Sequence, residues 1–154
     1  MKRTILFLMV LLASVPAAAN SFSGRVIGVM DGDTILVLTS GYEQMKVRLA
    51  AIDAPEKAQQ FGERSKQALS ALCFKKLAYV EVVDIDRYKR TVGKVSCDGV
   101  DANRSQVENG MAWVYRRYAK DSSLLAVEGM AKADRRGLWA DTNPTPPWEW
   151  RKSK

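Results

Sequence analysis

The sequence predicts an α+β domain: a five-stranded antiparallel β-barrel with about three helices outside it, preceded by a cleaved signal peptide. Three observations predict it. Five short segments rich in Val, Ile and Leu alternate apolar and polar residues, as strands do when only one face meets a core. Two-residue turn signals, Asp31-Gly32 and Asp98-Gly99, interrupt them. One helical stretch falls between the third and fourth strands, and two more follow the fifth.

Residues 1–19 stand apart from the fold. Lys2 and Arg3 precede an apolar run from Ile5 to Val15, and Ala17-Ala18-Ala19 closes it, which is the pattern of an export signal. The run is far shorter than the roughly 20 apolar residues a membrane-spanning helix requires. The expectation is a mature chain starting at or near Asn20, exported to a periplasm or secreted, with no membrane association after cleavage. The remaining residues suffice for one domain, residues 20–142, and a tail, residues 143–154.

Strands are expected at residues 24–30, 34–38 and 44–51; on the third, Met45, Val47, Leu49 and Ala51 alternate with Lys46 and Arg48. After a loop over residues 53–62, Ser65, Leu69, Leu72 and Cys73 fall on one face of a helix that ends near Lys75. Residues 77–83 and 91–97 read as the last two strands, joined by a charged turn. Helices are expected over residues 103–109 and 122–136, each followed by a glycine, Gly110 and Gly137. This order and count fit the OB-fold, a small barrel that often binds nucleic acid. Pro144, Pro146 and Pro147 argue against a helix interior, so the tail is expected to be extended, with Trp148 and Trp150 as anchors.

The formal charge is +7, and +5 once Lys2 and Arg3 leave with the signal peptide, which favours polyanionic partners. The chain has no histidine. That excludes a serine–histidine triad, histidine-ligated zinc and imidazole acid–base catalysis, leaving carboxylates, arginines and oxygen-bound metals. Cys73 and Cys97 either pair, closing a loop of about 25 residues worth on the order of 3 kcal/mol, or are two separate buried thiols; an oxidising compartment favours the pair.

Hard divalent cations take carboxylate, carbonyl and water oxygens. Asp33 opens the second strand and Asp53 leaves the third, so strand pairing can bring both to one rim of the barrel. Asp31 is better read as hairpin-turn chemistry. Phosphodiester hydrolysis needs fixed positive charge at the phosphoryl oxygens and a group that activates water. Arg48 and Arg90 suit the first task, because a guanidinium fork holds two phosphate oxygens, and Glu56 suits the second. Singly each has an ordinary explanation: a strand arginine is usually solvated, and a glutamate after Ala54-Pro55 can simply begin a turn.

The combination is more specific. Asp31-Gly32-Asp33-Thr34, the run Arg48-x-x-x-x-Asp53-x-Pro55-Glu56, and Asp86-Arg87-Tyr88-Lys89-Arg90 occur in an order and spacing that resemble the staphylococcal nuclease family, from about Ser23 through Gly137-Leu138-Trp139. The resemblance implies an OB-fold nuclease in which Asp33, Asp53 and the backbone carbonyl of Ala54 bind Ca2+. It implies Glu56 as general base and Arg48 and Arg90 as the groups holding the phosphate, with DNA and RNA cleaved to 3'-phosphate ends. Lys89 stands where that family commonly has a glycine, at a turn that calls for positive φ. Tyr118 resembles one of the family's nucleotide-stacking tyrosines, and Arg116 stands where the other would be.

Trp113, Tyr115, Arg116, Arg117, Tyr118 and Lys120 interleave rings and cations, a composition suited to single-stranded nucleic acid. Tyr118, Tyr88 and Arg116 are the expected nucleic-acid contacts, whereas Trp113 and Tyr115 are expected to pack on the barrel. The leading expectation is therefore a monomeric Ca2+-dependent endonuclease acting on DNA and RNA, preferably single-stranded. A non-catalytic nucleic-acid-binding OB module of the cell envelope is the alternative, and a structural envelope protein ranks third.

Overall fold

The computed structural model describes residues 20–119 and 122–154, so the expected signal peptide at residues 1–19 lies outside the described residues, as does Lys120. The long strands are β1 (Ser21–Val29), β2 (Thr34–Thr39), β3 (Gln44–Leu49), β5 (Leu77–Ile85) and β6 (Thr91–Cys97); short ones are β4 (Ile52–Asp53), β7 (Val100–Asp101) and β8 (Trp113–Val114). Helices are α1 (Gly62–Cys73), α2 (Ala102–Glu108), α3 (Ser123–Ala133) and α4 (Pro147–Lys152), with a 3₁₀ turn at Gly137–Ala140.

Neighbouring long strands pair antiparallel in the order β3-β2-β1-β5-β6. The barrel closes because β3 also pairs with β6, in parallel, with Val47 opposite Thr91, Arg48 opposite Val92 and Leu49 opposite Gly93. Alternation along β3 sends Val47 and Leu49 into the core and leaves Lys46 and Arg48 outside. Val26, Ile35, Val37, Leu69, Val80 and Val95 complete that interior with essentially no exposure. Gly93 sits where the seam is tight: a Cβ there would lie 2.7 Å from Val80 Cγ1 and 3.0 Å from the Glu81 carbonyl oxygen.

Two buried amides of α2 tie the helices to the barrel. Asn103 donates to the Ala50 carbonyl (2.9 Å) and accepts from the Val95 N–H (2.9 Å), bridging the chain just after β3 to β6. Gln106 donates to the Gly32 carbonyl (2.6 Å) and the Ser65 carbonyl (3.1 Å), so α2 fixes the β1–β2 turn from behind and also holds α1. Cys73, ending α1, and Cys97, ending β6, are buried and joined as a disulfide.

Helix boundaries fall close to those expected, but the described residues hold four helices, and the tail is not wholly extended. Pro146 is extended (φ −66°, ψ 147°) and Pro147 takes the first position of α4, where a missing N–H costs nothing and the fixed φ suits a helix. The prolines therefore start a helix here. Trp148 stacks on Tyr115 (centroids 5.5 Å, 6° between planes) and meets Trp113 edge-on at 5.7 Å, while Gln59 donates to the Thr145 carbonyl at 2.6 Å. Among the described residues no helix is long and apolar enough to cross a membrane.

Candidate active site

Asp33, Arg48, Asp53 and Glu56 gather at one rim of the barrel. The Asp31-Gly32 turn delivers Asp33 to the start of β2, and the Asp33 N–H donates to Asp31 Oδ1 (3.0 Å). One Asp33 oxygen accepts from Thr34 Oγ1 (2.9 Å), the other from the Ala54 N–H (2.9 Å), which brings residues 21 apart in sequence into direct contact. Asp53 is positioned by the β4–β8 pairing, opposite Trp113, and is 1% exposed.

Arg48 joins the two aspartates. One of its terminal nitrogens donates to the Ile52 (2.9 Å) and Leu49 (3.3 Å) carbonyls. The other reaches Asp53 Oδ1 at 2.9 Å and lies 3.4 Å from Asp33 Oδ2. Backbone thus fixes the guanidinium on one side and carboxylates fix it on the other, so little rotamer freedom remains. Glu56 is only half-buried, its carboxylate at the rim, and its N–H is capped by Gln59 Oε1 (3.1 Å).

A second cation at this rim was not anticipated from the sequence. Arg151, on α4, donates to Asp53 Oδ2 (2.7 Å), Asp53 Oδ1 (3.3 Å) and Glu56 Oε1 (2.7 Å). Its bond to Asp53 is the main cause holding the guanidinium more firmly protonated than usual. The only sequence signal was a cluster of cations behind Trp148 and Trp150, in a tail expected to be extended.

Arg90 has its contacts elsewhere. Its Nε donates to Asp86 Oδ2 (2.7 Å), its N–H to Asp86 Oδ1 (3.0 Å), and its guanidinium lies 5.5 Å from the Tyr88 ring centroid. The β5–β6 turn that carries it has Lys89 at φ 60°, the left-handed conformation expected where the resemblance has glycine. Tyr88 is exposed and flanked by Arg87 and Arg90. Tyr118 is exposed beneath Arg117, while Arg116 lies 3.8 Å from Glu128. Glu128, 2% exposed, also escaped notice in the sequence; it accepts from the Val114 N–H (2.9 Å) and from Lys132 (2.8 Å), bracing β8 and hence β4.

Burial, and then the Asp33 charge, push the Asp31 carboxyl up to about 6. Burial also raises Asp53, and its bonds to Arg151 and Arg48 do not fully offset it. Asp33, Asp53 and Glu56 carry three negative charges when ionised, against two from Arg48 and Arg151, with the Asp31 carboxyl beside them in the turn. The rim is thus net negative on hard oxygens, the donors a divalent cation takes. Among the described residues no three His, Cys, Asp or Glu side chains form a metal-holding group, so such an ion would draw on two aspartates and complete its shell from a backbone carbonyl and water.

A closed OB barrel with paired aspartates, a clamped arginine and a half-exposed glutamate at one rim defines a class: a hydrolase built around an anionic, phosphoryl-type group. A family model described as "Staphylococcal nuclease homologue" matches residues 46–141. The chain is 44% identical over 130 residues to an uncharacterised endonuclease of Haemophilus influenzae, covering 84% of this chain and 73% of that protein. It is 41% identical over 162 residues to a micrococcal nuclease of Shigella flexneri, covering 98% of this chain and 92% of that protein. It is 40% identical over 148 residues to an uncharacterised endonuclease of Escherichia coli O157:H7, covering 96% of each. The chain belongs to the staphylococcal nuclease family and is a hydrolytic nuclease.

Proposed function

We propose that the chain is an exported, Ca2+-dependent endonuclease that hydrolyses DNA and RNA, preferably single-stranded, to 3'-phosphate ends. The observation that carries the reading is the meeting of Asp33, Arg48, Asp53 and Glu56 at one rim with a surplus of negative charge. Asp33, Asp53 and the Ala54 carbonyl would hold the cation. When bound, it supplies Lewis-acid stabilisation of the phosphoryl oxygens.

The protein's own groups do the rest. Arg48 turns one edge of its fork toward the phosphate and, being already held by two carbonyls, pays little ordering entropy to do so. Glu56, half-exposed, accepts the proton of the attacking water at a carboxylate oxygen. Arg90 joins the phosphate by exchanging Asp86 for it, a trade of one charge-assisted pair for another. Tyr118 and Tyr88 offer open rings to unpaired bases, with Arg116 beside the strand.

The test is cleavage of single-stranded DNA by the mature protein with Ca2+, with and without a chelator, and phosphatase treatment of the products. Cleavage that survives chelation, or ends that phosphatase does not change, refutes the proposal. Export rests on the pattern of residues 1–19; fractionation of cells and amino-terminal sequencing should find a monomer that begins at or near Asn20, outside the cytoplasm and free of membranes.

A further inference from the structure

We propose that α4 is a built-in competitor for the active site, with Arg151 occupying the oxygens the cation needs, and that cation binding releases the tail. This rests on the nuclease reading of Asp53 and Glu56. Arg151 takes both Asp53 oxygens and one Glu56 oxygen, so the same guanidinium covers a cation ligand and the group proposed to activate water.

Arg48 and Arg151 differ in how they are held. Arg48 is anchored to the Ile52 and Leu49 carbonyls and can keep its place when a cation arrives. Arg151 has no such anchor: its hydrogen bonds at the site are all to the contested carboxylates, and its side chain is 43% exposed. A cation on Asp53 takes up both Asp53 acceptors and adds repulsion, leaving Arg151 only its bond to Glu56, too little to hold it at the site.

The rest of the tail is placed for the same job. Trp148 stacks almost parallel on Tyr115, itself edge-on to Tyr118 at 5.0 Å, as a base would stack on an aromatic ledge. α4 is only six residues long, and the ring contacts, the Gln59–Thr145 bond and the Arg151 pairs hold it to the barrel. Losing Arg151's partners therefore weakens the whole attachment. The tail lies on the site as a stand-in for ion and base together.

The test uses the full mature chain, Arg151→Gln, and Lys152→Gln as a control that removes one positive charge from the same helix without touching the site, since Lys152 pairs with Glu149. Ca2+ is titrated by calorimetry and by the indole N–H resonances of Trp148 and Trp150. Arg151→Gln should bind Ca2+ about tenfold more tightly, as expected when the ion no longer has to break a charge-assisted pair to reach Asp53. Lys152→Gln should match the unmodified chain. Ca2+ should shift the Trp148 resonance in the unmodified chain, and Arg151→Gln should begin at the shifted position. Ca2+ binding that leaves Trp148 unmoved, or equal affinities for the two variants, overturns the competitor. So does Arg151→Gln protein that is saturated with Ca2+ yet loses kcat with KM unchanged, because Arg151 would then serve the phosphate. Failure of both the unmodified chain and Arg151→Gln to bind Ca2+ removes the cation reading itself.

Discussion

Asp31 sits in the turn that presents Asp33, and its carboxyl is raised from 3.8 to about 6, first by burial and then by the Asp33 charge. A carboxyl with a raised folded-state value holds its proton more tightly when folded than unfolded. Its contribution is therefore neutral below about pH 4, and it takes stability away as pH climbs through about 6. A difference of about two units is worth up to about 3 kcal/mol. Asp31→Asn keeps the oxygen that accepts the Asp33 N–H but cannot ionise. In chelator, the variant should gain on the parent as pH rises from 4 to 7, by an amount approaching 3 kcal/mol, and hold that gain above pH 7. Urea denaturation at pH 4, 5, 6 and 7 reads the difference, and subtraction cancels groups common to both proteins, such as Asp53. Two stability curves that run parallel across this range refute the reasoning.

Other outcomes follow from the same contacts. Arg48→Ala should lower turnover on the order of 10²–10³-fold, and Glu56→Ala on the order of 10²–10⁴-fold, in protein whose circular dichroism shows it folded; unchanged turnover in both removes the site assignment. Lys89 holds φ 60°. Lys89→Gly should raise stability by about 0.5–1 kcal/mol, the left-handed cost of a side chain less the entropy of glycine, measured as a shift in denaturation midpoint at unchanged slope. Replacing Cys73 and Cys97 together by alanine, 24 residues apart in sequence, should cost about 3 kcal/mol by the same measurement.

The barrel was legible because its signals are local: alternation at Met45, Val47 and Leu49 and the Asp31-Gly32 turn dictate strands whatever surrounds them. Asp33, Arg48 and Asp53 meet because hairpin pairing sets their register, which sequence order nearly determines. Arg151 was out of reach, since it lies 98 residues from Asp53 and arrives through ring stacking that no period announces. The tail was misread because proline was weighed as a helix breaker, whereas Pro147 opens α4. Gln106 and Glu128 carry no motif; their importance comes from burial and the backbone groups they satisfy. Arg90 was legible as a residue type in a turn, but its present bond to Asp86 is a local competition between partners.

The parallel seam between β3 and β6 joins Val47 to Thr91 and Leu49 to Gly93. Pairings that close so long a stretch of chain pay a loop entropy that hairpins do not, so they tend to form late in folding. Arg48 lies on that seam. A fragment holding only the first hairpins would carry Asp33, Arg48 and Asp53 without the strand that closes the barrel beneath them, and should leave nucleic acid intact. The closed barrel is thus the last thing the chain builds, after the hairpin that has already set Arg48 opposite Thr34, beside Asp33.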